Sequence, residues 1–594
     1  CKKPISRLWI NSMTDEAIQE GFHTIRPGSD YDGLYRSAVC RSKADWLVGM
    51  NATRAFTLRY DTLLSVGRVQ TPTLAILVKR YHEITNFKPE GFCTVTANFG
   101  DYRGTWFKEG LDPDTHIKEK AQAEAIAQRV KGQTGRVISA QTSRKRDLPP
   151  QLYDLTSLQR DANQMLGFTA EKTLKLAQSL YETHKALTYP RTDSRYLTSD
   201  MAEGLPVLVN LVANAMPFRK GIAISCDAGA VINDKKVTDH HAVIPTRNLQ
   251  NADLSGLPVG ERMILELVAL RLLCAVAEPH TYSETAVTVE CAGAAFTTKG
   301  KTVKRPGWRA LDAAYRAALK NAEPDKETED KALPDGGRLP ELSEGQTLPL
   351  SGATVKEGKT SPPKHFTEDT LLSAMETAGK DDMPEDAERQ GLGTPATRAG
   401  ILEKLVSTGF LERKKSKKAV QLMPSKDAVS LITVLPEQLQ SPLLTAEWEH
   451  RLSEIERGEL SPEDFMGGIC AMLRELVRTY QVIKGTEYLF TPPREVVGKC
   501  PRCGGDVAEL QKGFFCQTES CKFAIWKNNK WWAAKKKQPT KALVTALLKD
   551  GRTRITGCYS EKTGKTYDTT VVLEDDGRYA NFKLEFDRQK GGAK

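Results

Sequence analysis

The chain has 594 residues, of which 40% are hydrophobic, 27% charged and 7% aromatic. This excludes a collagen, a wholly disordered chain and a small disulfide scaffold, and no apolar run approaches the ~18–20 residues that span a bilayer. The net charge is +10, and residues 522–594 carry 17 basic against 8 acidic side chains, so nearly all of the excess sits on that tail. Such a tail suits a polyanion such as nucleic acid, or serves solubility alone.

At roughly 100–200 residues per domain the length implies about three to five domains. The first residue is Cys, and CKKPISRLWI has no apolar signal core, so the sequence reads as a fragment or processed product. Residues 1–84 read as helical: ADWLVGMNATRAFTL and TPTLAILVKRYHEI carry apolar residues three and four apart. From about Phe87 the pattern turns to short, β-branched runs bounded by Gly, in GFCTVTANFG, DYRGTWF and GRVISAQTSRKRDL, with KEKAQAEAIAQRV helical between them. LTSLQRDANQML, TAEKTLKLAQSLYETH and ERMILELVALRLLCAVA return to helix. SETAVTVECAGAAFTT and QTLPLSGATVKEG return to strand, separated by the Pro-, Gly- and charge-rich loop NAEPDKETEDKALPDGGRLPELSEG. TEDTLLSAMETA, ATRAGILEKLVSTGFLERKK and AEWEHRLSEIERG predict helix to about Gly485. The alternation suggests one domain inserted into another.

Twelve Cys are present, eight of them scattered, which is no secreted disulfide framework and points to a reducing compartment. The other four form Cys500-Pro-Arg-Cys503, twelve residues, then Cys516-x4-Cys521. Two close pairs a hairpin apart supply four thiolates for a structural, tetrahedral Zn²⁺ with no open position. Phe523, Trp526, Trp531 and Trp532 follow, interleaved with Lys522, Lys527, Lys530 and Lys535 to Lys537. Such aromatics either stack on single-stranded bases or form the core of this small domain.

Three further segments carry candidate chemistry. In ALTYPRTDSRY, Tyr189 precedes Pro190, which favours extended backbone, and Arg191 and Arg195 flank Asp193 and Ser194. A Tyr between arginines can attack a phosphodiester while the arginines hold the phosphate. Among 16 Tyr, packing alone is the blander account. In VTDHHAVIPT, Asp239, His240 and His241 supply a cation or proton donor, or ordinary loop histidines; adjacent side chains diverge, which disfavours a metal pair. In SVGRVQTP, Gly67 permits close backbone approach while Arg68 and Gln70 can reach phosphate or base edges.

Together these segments resemble the type IA DNA topoisomerases, and most of all bacterial topoisomerase III. SVGRVQTPTLA, ALTYPRTDSRYL, VTDHHAVIPT, GLGTPATRAGILEKLVSTGFLER, LTAEWEHRLSEIERG and RSKADWLVGMNATR all match in kind and order. The resemblance implies a multidomain α+β chain: a toroidal core of helical, winged-helix-like domains and a β-rich arch, with a C-terminal zinc ribbon. The corresponding divisions are 1–84 (base), 85–150 (arch), 151–270 (helical, with the active-site Tyr), 271–362 (arch), 363–490 (base), 497–530 (ribbon) and 531–594 (basic DNA-binding region). It implies Tyr189 as nucleophile, Arg191 and His240 as catalytic partners, and DNA contacts from Arg41, Asp45, Ser65, Val66, Gly67, Arg68, Val69, Gln70 and Arg195. It further implies ATP-independent strand breakage and rejoining through a 5′-phosphotyrosine. Consistently, GKT occurs three times but never with a Gly five residues before its own Gly, so no phosphate-binding loop is formed. The expected partner is single-stranded or negatively supercoiled DNA, met by a monomer in a bacterial cytoplasm, at the nucleoid and not at a membrane. The family also uses Mg²⁺, held by an amino-terminal Toprim domain that this sequence is expected to lack. Asp30-Tyr31-Asp32 has the family's Asp-x-Asp spacing but reads as a surface loop. The competing expectation is a catalytically impaired fragment that binds single strands without cutting them. A relaxase or a tyrosine recombinase explains fewer of the segments.

Overall fold

The structure is a computed structural model. It describes residues 3–10, 15–100, 102–108, 114–237, 239–250, 254, 256–322, 339, 341–379, 391–416, 419–486, 489–490, 495–510, 512–518 and 520–586, with the side chains of 15–17 and 320–322 left aside. It divides into two compact units, Cys1–Val482 and Ile483–Lys594.

In the first unit, after the short helix Asp15–His23 and a two-stranded pairing of Ser6–Arg7 with Arg26–Pro27, comes a long helix, α1 (Asp32–Tyr60). Cys40, Ala44, Val48, Ala52 and Phe56 recur every fourth residue along one buried ridge. That ridge packs on α8 (Pro442–Arg457) and on the following helix Pro462–Thr479. Gly33 is required where α1 begins, because a Cβ there would lie 2.2 Å from the Glu456 carbonyl oxygen. Asp30 and Asp32 are exposed, in a short 3₁₀ turn and at the first residue of α1. α2 (Gln70–Thr85) takes Pro72 in its first turn, where no backbone donor is lost.

A seven-stranded antiparallel sheet follows. Its strands are β1 (Gly91–Asn98), β2 (Arg103–Trp106), β3 (Thr134–Asp147), β4 (His280–Cys291), β5 (Ala294–Arg305), β6 (Thr347–Pro349) and β7 (Gly352–Lys359). The order is β6-β3-β4-β5-β2-β1-β7, so both β-rich stretches of the sequence close into one sheet. β3 and β4 pair from Arg136↔Glu290 to Asp147↔His280. Alternate residues, among them Val95, Ala97, Val287, Val289 and Phe296, bury one face against the helix Lys120–Val130.

Between the two halves of the sheet lie α3 (Leu155–Leu166), α4 (Ala170–Glu182) and α5 (Val259–Ala275), with the helix Leu205–Ala215. Asp154 caps α3 reciprocally with Ser157, and Gly167 ends it at φ 66°. These helices share one apolar core with Leu311 and Tyr315. Those two residues belong to a helix, Arg309–Ala322, that sequence reading passes over. Most of the loop expected after it lies outside the described residues. α6 (Glu368–Thr377) and α7 (Pro395–Ser407) complete the unit. The helix expected through GFLERKK is corrected: Gly409 turns at φ 76° and Leu411–Lys415 is a strand, paired with Val420–Pro424.

The second unit pairs Val496–Lys499, Asp506–Leu510, Gly513–Cys516 and Ala524–Trp526 in one sheet, and Arg552–Tyr559, Thr566–Asp575 and Ala580–Glu585 in another. Phe514, Phe523, Ile525 and Trp532 share a single core with Val544, Leu547, Ile555, Val571 and Phe582. Residues on both sides of position 530 therefore fold together. The basic tail is largely a folded sheet and helix.

Candidate active site and zinc-ligand cluster

Tyr189 lies on the extended stretch after α4, which the structure stitches to the His240 segment. The Thr188 amide donates to the Ile244 carbonyl (3.0 Å), and the Thr188 hydroxyl donates to the Ala242 carbonyl (3.2 Å). The Thr192 hydroxyl donates to the His240 carbonyl (2.7 Å). These bonds bring the Tyr189 and His240 rings to 4.5 Å between centroids, while Tyr181 meets Tyr189 edge-on at 5.4 Å. Among the described residues nothing hydrogen-bonds the Tyr189 hydroxyl, and nothing pairs with the exposed Arg191. Burial holds the His240 imidazole below its ordinary range, with Asp239 and Asp193 pulling the other way. His241 diverges from its neighbour: it is buried, its Nδ1 lies 2.8 Å from the Ala242 carbonyl, and burial lowers its pKa too.

The other expected DNA contacts are placed differently. Arg195 is engaged inside the protein, donating to Asp154 (2.7 Å) and Glu376 (3.1 Å). Arg68 is buried, bonding Asp45 at 2.7 and 3.2 Å and Glu449 at 2.9 Å, with Trp448 5.2 Å beneath its guanidinium. Arg41 shares Glu449 at 2.5 Å. Arg41, Asp45 and Arg68 thus form one ion-pair chain through Glu449, a residue sequence reasoning missed. Val66 and Gln70 are buried, whereas Ser65, Gly67 and Val69 are half-buried. A Cβ on Gly67 would meet nothing nearer than the Gln70 Cβ at 3.5 Å, so close packing within the chain does not demand this glycine.

In the second unit the sulfurs of Cys500, Cys503, Cys516 and Cys521 all lie within 4.8 Å of one another, with Cys500–Cys521 at 3.7 Å and Cys503–Cys516 at 3.5 Å. Tetrahedral zinc with Zn–S bonds of about 2.3 Å sets its sulfurs roughly 3.8 Å apart, so the four thiols fit the ion. The Thr518 hydroxyl beside Cys503 draws its pKa down to about 6, towards the thiolate that a metal takes. Burial pushes Cys500 up to about 12. No cluster of three or more carboxylates suited to Mg²⁺ is found among the described residues. The aromatics after the ribbon divide. Phe523 and Trp532 are core, Trp531 packs at 4.8 Å on Trp532 under Lys535, and Trp526 stays 45% exposed, edge-on to Phe515 at 5.0 Å.

A sequence profile described as DNA topoisomerase matches residues 29–467. The chain belongs to the type IA DNA topoisomerases. It is 38% identical over 537 residues to the DNA topoisomerase 3 of Bacillus licheniformis, covering 87% of this chain and 71% of that protein. It is also 38% identical over 538 residues to the Bacillus subtilis DNA topoisomerase 3, covering 88% and 71%. The fold is similar to full-length topoisomerase I from Thermotoga maritima, with TM-score 0.61 and 21% identity over 87% of this chain and 79% of that one. This topoisomerase contains no described helix long and apolar enough to cross a membrane.

Proposed function

We propose that this chain breaks and rejoins single DNA strands by transesterification at Tyr189, relaxing negative supercoils and separating linked molecules. The observation that carries the reading is a Tyr hydroxyl that finds no partner among the described residues, its ring seated on His240, with Arg191, likewise without a described partner, two residues on. The Tyr189 Oη attacks phosphorus, an Oη–P bond forms, and the P–O3′ bond breaks. The phenolic proton leaves to solvent and the 3′ oxygen is protonated as it departs. The product is a 5′-phosphotyrosine beside a free 3′ hydroxyl. The linkage conserves the energy of the broken bond, so attack by the 3′ hydroxyl reseals the strand without ATP. Arg191 neutralises the phosphate as charge builds on its oxygens. His240, neutral at pH 7, presents its ring to the phenol and does not compete with Arg191 for the phosphate.

Residues 151–270 serve as the moving part that carries Tyr189, and the arch of 85–150 and 271–362 joins it to the base. The protein acts as a monomer on single-stranded or negatively supercoiled DNA in the bacterial cytoplasm, at the nucleoid. DNA is held mainly through its backbone, with strong salt dependence. Zn²⁺ bound by Cys500, Cys503, Cys516 and Cys521 supplies folding energy and no open coordination position for chemistry. The exposed Trp526, with Lys522 and Lys530 near it in sequence, offers a base-stacking position in the second unit.

The test uses a single-stranded oligonucleotide labelled at each end in turn, Mg²⁺, the chain and its Tyr189→Phe variant, quenched in denaturant. A Tyr189-dependent adduct holding the 5′ phosphate side of the break is the expected result. Salt-sensitive binding with no adduct would replace this reading with that of a single-strand-binding protein.

A further inference from the structure

The apolar core of 152–276, with Leu311 and Tyr315, contains no described residue from α6 or α7. Where the Tyr189 segment and α3 meet those two helices, ion pairs cross the contact beside buried apolar residues such as Leu155 and Leu371. Arg195 bonds Glu376 at 3.1 Å and Asp154 at 2.7 Å. Arg160 bonds Asp369 at 2.9 Å and reaches Glu376 at 3.8 Å. Arg398 donates to Thr156 at 2.9 Å and lies in the field of Glu376 and Asp154. Three guanidiniums thus face three carboxylates, and Glu376 sits between two of the arginines.

Glu376 occupies the last turn of α6, where the helix's own carbonyl dipoles disfavour a negative charge. Its place there therefore depends on its arginine partners. A carboxylate held by two guanidiniums offers the same charge-assisted contacts as a backbone phosphate. Arg195 lies six residues beyond Tyr189 on the same segment. Separating such a seam returns charges to water, so desolvation already works against the closed contact.

We propose that Glu376 is an internal phosphate surrogate: it latches the Tyr189 segment to α6 by occupying Arg195 and Arg160, and a single DNA strand displaces it. The strand then gains phosphate contacts from both arginines while the seam loosens. This rests on reading Tyr189 as the strand-cutting residue, and it adds to that reading what holds the segment shut and what releases it.

The experiment places keto-bearing unnatural residues at the exposed Lys175 and Lys404, spin-labels them by chemistry orthogonal to cysteine, and measures their separation in the full chain. The parent should give one short distance without DNA, and a second, longer one with saturating twenty-residue oligo-dT. Glu376→Gln should raise the longer population at least threefold without DNA and tighten oligo-dT binding about three- to tenfold. Raising NaCl from ~50 to ~500 mM should raise the longer population in the unmutated chain, a measurement that needs no substitution. A single unchanged distance across salt and DNA, or Glu376→Gln binding oligo-dT no tighter than the parent, overturns the latch. Tyr189→Phe separates the two readings. An adduct that survives it, or no adduct from the parent, defeats the cutting mechanism, while distance and affinity still judge Glu376.

Discussion

Two tryptophans six residues apart should fail in opposite ways. Trp532 is fully buried between Trp531 and Phe582, so Trp532→Ala removes a whole indole from the one core of the second unit. Aromatic-to-Ala changes in cores cost about 3–5 kcal/mol, against about 5–15 kcal/mol for a unit of roughly one hundred residues. At about 4–8 °C per kcal/mol its calorimetric transition should fall by at least ~12 °C. Trp532→Phe should cost less, because it keeps a ring in the core and the indole N–H it gives up finds no acceptor among the described residues. Trp526→Ala touches a ring 45% exposed and should leave that transition within about 0.5 kcal/mol of the parent. Losing one stacked base there costs about 1–3 kcal/mol, which is roughly 5- to 150-fold in oligo-dT affinity by fluorescence anisotropy. A Trp532→Ala chain that melts like the parent, or a Trp526→Ala chain that binds like it, would refute the division of roles.

Removing zinc with a strong chelator, or substituting Cys516→Ser, should loosen residues 552–585 together with the ribbon, read as lost hydrogen-exchange protection in both sheets. Protection lost in the ribbon alone would contradict the shared core. His240 and His241 are both held below the ordinary histidine range, so the unfolded chain binds more protons around pH 6. Stability of the first unit should therefore be fully present above about pH 6.5 and decline as pH falls through the lower folded values. His241→Asn should flatten that slope, and an unchanged slope in calorimetry would count against it. Arg68→Ala should destabilise the first unit by about 3 kcal/mol, the low end for breaking a buried pair because Asp45 is 42% exposed. A loss of oligo-dT affinity with no loss in melting temperature would instead show Arg68 contacting DNA directly.

The site was legible where its chemistry is local. The Tyr189 segment, the His pair and the four cysteines each occupy a short run whose spacing states what it can do. The partners of the arginines were not legible, because Glu376 and Glu449 stand 181 and 381 residues from Arg195 and Arg68. Sequence marks an Arg as cationic but says nothing of which carboxylate the fold brings to it. Trp526 and Trp532 look alike beside their lysines, and only the packing of a later sheet separates them. Two misses left readable signals. Leu311 and Tyr315, apolar and four apart, mark the helix Arg309–Ala322. Gly409 is the left-handed stop that ends α7 before the strand.

Arg502, inside the first cysteine knuckle, grips Asp575 of the C-terminal sheet through both carboxylate oxygens at 2.6–2.9 Å. A residue bracketed by two of the clustered cysteines therefore holds a strand more than seventy positions away. As a consequence, the four-cysteine ribbon and the C-terminal sheet form a single exchangeable cassette. A recombination joint at 530 would strand Asp575 on one side and Arg502 on the other and split the hydrophobic core between them. A graft that keeps 495–586 intact should travel to another carrier, zinc included.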